Sequence, residues 1–199
     1  MNAFDYFFEN TSALSKEAVT GRQPVSYSRL FANSAKTAAR FKQIHGENNY
    51  VIMLSENSEF FITVYLALMK SGNICLPLNP AIEPENPGKV LEKTGSTLAF
   101  ISRKYQQRFG AYNFTVYDDL TLEKWCAEET TTDIPFPDPG FDGQRLAEII
   151  FTSGSTGEQK GSMITPRNII TNSESIIEYT RVKSSDIIDV VMPFYYCYG

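Results

Sequence analysis

In a chain of 199 residues, 18 lysines and arginines against 23 aspartates and glutamates give a formal charge of −5 at pH 7. That balance disfavours a nucleic-acid partner and predicts a soluble, mildly acidic protein of one full domain or a little more. The 42% hydrophobic and 13% aromatic shares suffice for a packed core. The one histidine, His45, excludes a His-Glu-x-x-His zinc site and leaves any Ser/His or Cys/His nucleophile dependent on that ring. Cys75, Cys126 and Cys197 are odd in number and form no Cys-x-x-Cys pair, so they read as reduced core thiols. Met1 to Leu14 carries Asp5 and Glu9 and lacks the basic start and apolar stretch of a secretory signal, which predicts a cytoplasmic protein. The longest apolar run, Phe60 to Met69, is too short for a membrane span, which needs about 18 residues.

Along the chain, helical and β-type apolar spacings alternate, the pattern of an α/β fold with mixed or mostly parallel sheets flanked by helices. A first helix is predicted over Ala3 to Leu14 and a second over Ser28 to Ile44, with Gly21 and Pro24 marking a turn between them. Tyr50 to Leu54 reads as a buried strand. Asn57 then caps a helix that runs through Lys70, Gly72 ends it, and Ile74 to Leu78 is the next strand, completing a βαβ unit. Pro84 to Lys93 reads as a helix closed by Gly95, followed by a strand over Leu98 to Ile101 and a weaker one over Tyr112 to Tyr117. A short helix over Leu120 to Ala127 buries Trp125. Glu128 to Gly143 is acidic and broken by Pro135, Pro137 and Pro139, a surface connection. Beyond it come strands over Leu146 to Phe151 and Gly161 to Thr165, a helix over Pro166 to Arg181 and a last strand over Ile187 to Met192.

The chemistry concentrates between two of those strands, in Phe151-Thr152-Ser153-Gly154-Ser155-Thr156-Gly157-Glu158-Gln159-Lys160-Gly161. Gly154, Gly157 and Gly161 permit positive φ and close backbone approach, so that successive amides turn toward an anion. Thr152, Ser153, Ser155 and Thr156 add hydroxyl donors and Lys160 a mobile positive charge, a set suited to a polyphosphate. A flexible polar hairpin has a similar composition but does not require four hydroxyls and a lysine in this order. A Gly-Lys-Ser/Thr phosphate loop is absent, because Lys160 stands between Gln159 and Gly161. The spacing of Gly154 and Gly157 fits neither Gly-x-Gly-x-x-Gly nor Gly-x-Ser-x-Gly. Lys104, Arg103 and Arg108 read as solvated charges, and His45 as a helix-end residue favoured in its protonated form by the C-terminal dipole.

Phe151 to Gly161 resembles the Tyr/Phe-Thr-Ser-Gly-Ser/Thr-Thr-Gly-x-Pro-Lys-Gly signature of the adenylate-forming (AMP-binding) enzymes, which include acyl-CoA synthetases, peptide-synthetase adenylation domains and luciferases. Gln159 stands where proline is usual. Three further segments agree in order: Val25 to Leu30 with a Leu-Thr-Tyr-x-x-Leu element, Leu68 to Pro80 with Leu-Lys-Ala-Gly…Pro-Leu-Asn/Asp-Pro, and Pro193 to Gly199 with Pro-Leu-Phe-His-x-x-Gly. The first two read as structural. In the third, Tyr196 occupies the histidine or aromatic position, which the resemblance places beside the carboxylate substrate; Tyr195, Tyr196 and Tyr198 suit an aromatic core cluster equally well.

The resemblance implies an ATP-dependent ligase that activates a small-molecule carboxylic acid as an acyl-adenylate with release of pyrophosphate, then passes the acyl group to coenzyme A or a carrier-protein thiol. ATP would bind with Mg2+, its phosphates held by Thr152, Ser153, Gly154, Ser155, Thr156, Gly157 and Lys160; no metal ligand is assigned between Ser155 and Thr156. It also implies that residues 1–199 are the leading, incomplete part of the large N-terminal domain, with a first α/β part (1–127), the acidic connection (128–143) and the phosphate-loop part (144–199). The family's catalytic lysine has no counterpart here, so the chain alone is expected to be inactive. A sheet cut in mid-fold would expose a strand edge near Ile187 to Met192 and favour self-association. Two other classes remain open: a non-catalytic nucleotide-binding or partner module that keeps the loop, and a phosphotransferase of another fold using Asp186 and Asp189.

Overall fold

The computed structural model describes residues 1–21, 23–81, 86–129, 134–152 and 160–196, with the backbone alone for Asn86 and Thr152. A short antiparallel pair, β1 (Glu17–Val19) and β2 (Val25–Ser26), turns through Gly21 at φ +133°. The main sheet contains β3 (Tyr50–Leu54), β4 (Ile74–Leu78), β5 (Leu98–Ile101), β6 (Thr115–Tyr117), β7 (Glu148–Thr152) and β8 (Lys160–Ile164), in the spatial order β6-β5-β3-β4-β7-β8. All neighbouring pairs are parallel except β7 with β8. Helices α1 (Ala3–Phe8), α2 (Tyr27–His45), α3 (Glu59–Lys70), α4 (Asn86–Thr94), α5 (Asp119–Ala127) and α6 (Pro166–Thr180) and a 3-10 segment (Arg103–Phe109) surround it.

Alternation along the buried strands sorts their side chains to two faces. Val51, Met53, Cys75 and Phe100 pack against Phe41 of α2, Phe60, Phe61, Val64 and Leu68 of α3, and Trp125 of α5. Ile52, Leu54, Leu76, Ala99 and Ile101 face the other way, onto Val90 of α4 and Phe109. The chain steps from β3 through α3 to β4, then returns through α4 across β3 to β5. The direction of winding therefore reverses beside β3, and in open α/β sheets ligands gather at the carboxyl edge near such a reversal.

The βαβ unit has the predicted strand bounds, and its turns show why. The Ser58 hydroxyl accepts the Phe61 N–H at 3.2 Å and caps α3, while Asn57 turns elsewhere. At the other end, Gly72 at φ +71° lets its N–H reach the Met69 carbonyl at 3.2 Å and the Asn73 N–H reach the Leu68 carbonyl at 2.9 Å, a Schellman closure. A Cβ on Gly72 would also lie 2.9 Å from the Arg145 guanidinium. Arg145 donates there to the Gly72 carbonyl at 2.8 Å and binds Glu47 and Asn48 at 2.8 and 2.6 Å, fastening the approach to β7 onto the α3–β4 turn. Together with Lys42, it holds the Glu47 carboxyl below its usual range.

Several expectations need correction. Helix α1 ends at Phe8 rather than Leu14: the Thr11 hydroxyl donates to the Phe7 carbonyl at 2.8 Å, and polar Asn10, Thr11 and Ser12 divert the backbone into turns. The strand expected over Tyr112 to Tyr117 shortens to β6. Residues 187–192 form no strand; Ile187 and Val191 are about four-fifths exposed, at 78% and 80%. Their β-branched composition has no effect without a neighbouring ladder, which no described segment supplies. Among the described residues the edge strands of this sheet are β6 and β8, and Met163 of β8 faces solvent.

The connection 128–143 is more than surface. Phe136 packs edge-on against Phe31, with ring centroids 4.7 Å apart, and the Pro135 carbonyl accepts from buried Lys70 at 2.5 Å. His45 is the last residue of α2 as read, but its ring lies between Phe41 and Tyr117 and shares a 2.6 Å hydrogen bond with the Tyr117 hydroxyl. Burial holds its pKa below the usual histidine range, so the neutral ring is favoured rather than the protonated one. Cys75 and Cys126 are free thiols; Cys197 lies outside the described residues. No helix among the described residues is long and apolar enough to cross a membrane.

Candidate functional site

The hydroxyl- and glycine-rich loop is held at both ends by one hairpin. Thr152 closes β7 opposite Lys160, which opens β8, and Phe151 pairs with Gly161. Ser153, Gly154, Ser155, Thr156 and Gly157 lie outside the described residues. Lys160 is exposed. Gly161 sits in regular antiparallel pairing rather than at positive φ, and its lack of a side chain has a steric cause: a Cβ would lie 2.6 Å from Cγ2 of Ile149 and 3.3 Å from the Phe151 ring. The glycine lets β8 close on two side chains that belong to the core beneath α4.

The parallel pairing of β7 with β4, Glu148 beside Cys75, points the end of β7 toward the same edge as the ends of β3, β4 and β5. At that edge a cleft of about 300 Å³ is lined by Glu56 and Asn57 after β3, Asn79 to Ala81 after β4, Tyr105 and Arg108 after β5, and Val191, Pro193 and Tyr195. A second cavity, about 220 Å³, lies between α1, α2 and the connection, lined by Phe4, Phe31, Lys70 and Phe136.

The aromatic segment divides between the core margin and the surface. Phe194 packs on Phe61, ring centroids 5.3 Å apart, and Tyr195 joins the same core margin. Burial, with Tyr196 and Tyr105 nearby, pushes the Tyr195 hydroxyl upward in pKa. Tyr196 leans on Tyr195 at 4.9 Å and remains half exposed. Tyr198 lies outside the described residues. Of the basic residues read as solvated, Lys104 pairs with Glu56 at 3.4 Å and Arg108 donates to the Ala81 carbonyl at 3.1 Å. Asp186 accepts the Lys183 N–H at 2.8 Å and so closes a local turn. Among the described residues no group of three or more His, Cys, Asp and Glu side chains is arranged to hold a metal.

At the start of β7, away from the loop, one carboxyl carries no signal in the sequence beyond an acidic residue inside an apolar run. Glu148, 5% exposed, begins β7 and accepts the Tyr65 hydroxyl at 2.9 Å, with the Cys75 thiol on the same face. Burial pushes its pKa up to about 7, against a smaller opposing effect of the Tyr65 hydrogen bond. A carboxyl that holds its proton longer folded than unfolded contributes stability below its ordinary pKa and loses it as pH rises toward 7. Unfolding at pH 5 and pH 8 is therefore expected to show a loss of roughly 3 kcal/mol at the higher pH, absent in Glu148→Gln, which keeps an acceptor for Tyr65 and has no proton to release. Equal pH dependence in both proteins would place the titration elsewhere.

Fold and site define an α/β protein whose mostly parallel sheet pairs Thr152 with Lys160, the two ends of a hydroxyl-rich loop, at its carboxyl edge. The model of the family described as "AMP-binding enzyme" matches residues 8–199, and the chain belongs to that family. It is 31% identical over 134 residues to phosphinothricin tripeptide synthetase PhsC of Streptomyces viridochromogenes, covering 66% of this chain and 12% of that protein. To surfactin synthase subunit 1 of Bacillus subtilis it is 28% identical over 176 residues, 86% of this chain and 5% of that one. The crystal structure of ATP-bound MatB from Rhodopseudomonas palustris superposes with a TM-score of 0.80 at 23% identity, over 98% of this chain and 41% of that chain. The chain thus spans about a tenth or less of those two curated relatives.

Proposed function

We propose that this chain forms the ATP-phosphate-binding part of an adenylate-forming ligase that activates a carboxylic acid. The carboxylate oxygen attacks the α-phosphorus of ATP, the bond to the β-phosphate breaks, and pyrophosphate leaves; a thiol, of coenzyme A or a carrier protein, then displaces AMP from the acyl carbonyl. The substrate supplies the nucleophile, so the protein's part is to position and neutralise a polyphosphate. The observation that carries this is the Thr152–Lys160 register, which gathers both ends of the loop at the carboxyl edge beside the cleft. The hydroxyls and amides of Thr152, Ser153, Gly154, Ser155, Thr156 and Gly157 and the Lys160 ammonium make a donor set that fits the β- and γ-phosphates. Mg2+ bound there would screen the charge those phosphates bring. Tyr196, half exposed at the same edge, is assigned to the acid.

The test is isotope exchange between pyrophosphate and ATP in the protein that carries this chain, run against fatty, aryl and amino acids. Exchange that requires one class of acid is expected; exchange with none of them, or phosphate transfer to an acceptor without AMP, would refute the proposal. Association is part of the same proposal. Ile176, Ile177 and Tyr179 of α6 and nearby Ile187 and Val191 are at least half exposed, an apolar area suited to a protein partner or a second copy. Sedimentation of the isolated chain is expected to show species heavier than the monomer, and a clean monomer at high concentration would count against it.

A further inference from the structure

Residues 182–196 form a strap without regular structure, and Val191, Pro193 and Tyr195 line the cleft at the carboxyl edge of the sheet. Near the start of this strap, Lys16 donates to the Ser184 carbonyl. From 187 onward, among the described residues, both hydrogen bonds that join the strap to the rest of the fold are made by one side chain. Asn57 donates from Nδ2 to the Met192 carbonyl at 2.9 Å and accepts the Phe194 N–H on Oδ1 at 2.8 Å. The carboxamide offers a donor and an acceptor in one plane, the pair that an adjacent strand would present to these two groups. Pro193 between them has no N–H to compete. Ser58 already caps α3, so the helix leaves Asn57 available for this second task.

The consequence falls on the aromatic run. With Met192 and Phe194 fixed, the Phe194 ring seats on Phe61, Tyr195 closes one wall of the cleft, and Tyr196 stands beside it with half its surface open. We infer that Asn57 is a positioning residue of the site, which holds residues 192–194 and thereby sets where Tyr196 meets the acid. Asn57 makes no contact of its own with substrate in this scheme, and the inference rests on the placement of Tyr196 proposed above.

Two readouts on Asn57→Ala and Asn57→Asp test it. The first is hydrogen exchange at the Phe194 amide, expected to become about tenfold faster in the alanine variant, the scale of one lost hydrogen bond, while aspartate, which keeps the acceptor, retains part of the protection. The second is acid-dependent pyrophosphate exchange, in which KM for the carboxylic acid is expected to rise about tenfold in the alanine variant with KM for ATP unchanged. Unaltered exchange at Phe194 would overturn the clamp whatever the activity. Faster amide exchange with the acid KM unmoved, or with both substrates affected alike, would reduce Asn57 to a structural residue and overturn its role in the site. If the unsubstituted protein shows no acid-dependent exchange at all, the ligase proposal falls and takes the substrate part of this inference with it, while the Phe194 amide still judges the clamp.

Discussion

Replacing Lys70 with methionine is expected to lower the unfolding free energy by about 3–5 kcal/mol, the range for removing one member of a fully buried ion pair. The side chains of Lys70 and Asp5 are 2% and 1% exposed, with Nζ 2.5 Å from Oδ1. Asp5 also accepts the Asp138 N–H at 2.8 Å, and Nζ lies over the rings of Phe4 and Phe136 at 5.5 and 5.3 Å. One ammonium thus joins α1, the end of α3 and the connection that leads to β7. Without it the Asp5 carboxylate is left buried beside two aromatic rings, with a single backbone donor. The paired replacement Asp5→Leu with Lys70→Met removes both charges and is expected to be less damaging than the sum of the single changes by 2 kcal/mol or more. Its remaining cost is that of the orphaned Asp138 N–H and Pro135 carbonyl. Urea unfolding of the four proteins measures this, and a loss below about 1 kcal/mol in Lys70→Met would show that the pair is solvated.

Lys160→Ala carries the largest expected effect on activity. Lys160 opens β8 as the register partner of Thr152, where the loop ends. A fixed cation aimed at charge that shifts among phosphates is worth more in the transition state than in the ground state, and losing one such donor lowers rates by about 10²–10³. The expected result is a fall of that size in kcat/KM for ATP in pyrophosphate exchange, with KM for the acid little changed. Because the side chain is exposed, the melting temperature should hold. An effect within about threefold would remove the basis for assigning the loop to phosphate.

Where the sequence was most legible, local and global demands agreed. In β3–α3–β4 a continuous apolar run, a serine cap and a glycine at positive φ each favour one conformation, and both strands keep their predicted bounds. The loop signature was legible as a mark of the family, whose model matches residues 8–199. Its neighbours were less so. Asn57 and Ser58 are both good caps, and one residue of offset decides which serves the helix and which reaches the strap. Gly161 looked like a conformational glycine, but the two side chains that exclude a Cβ there come from the facing strand.

By itself the sequence determined the alternation of strands and helices, the composition of the loop and the family to which these belong, because short-range periodicity, caps and donor chemistry are properties of neighbouring residues. Only the tertiary structure decided that Lys70 anchors the connection, that Glu148 lies buried at the start of β7 against Tyr65, that 187–192 forms a strap rather than a strand, and that Asn57 holds it. Each of these depends on a partner far along the chain, and neither desolvation nor a hydrogen-bond ladder exists until the fold supplies that partner.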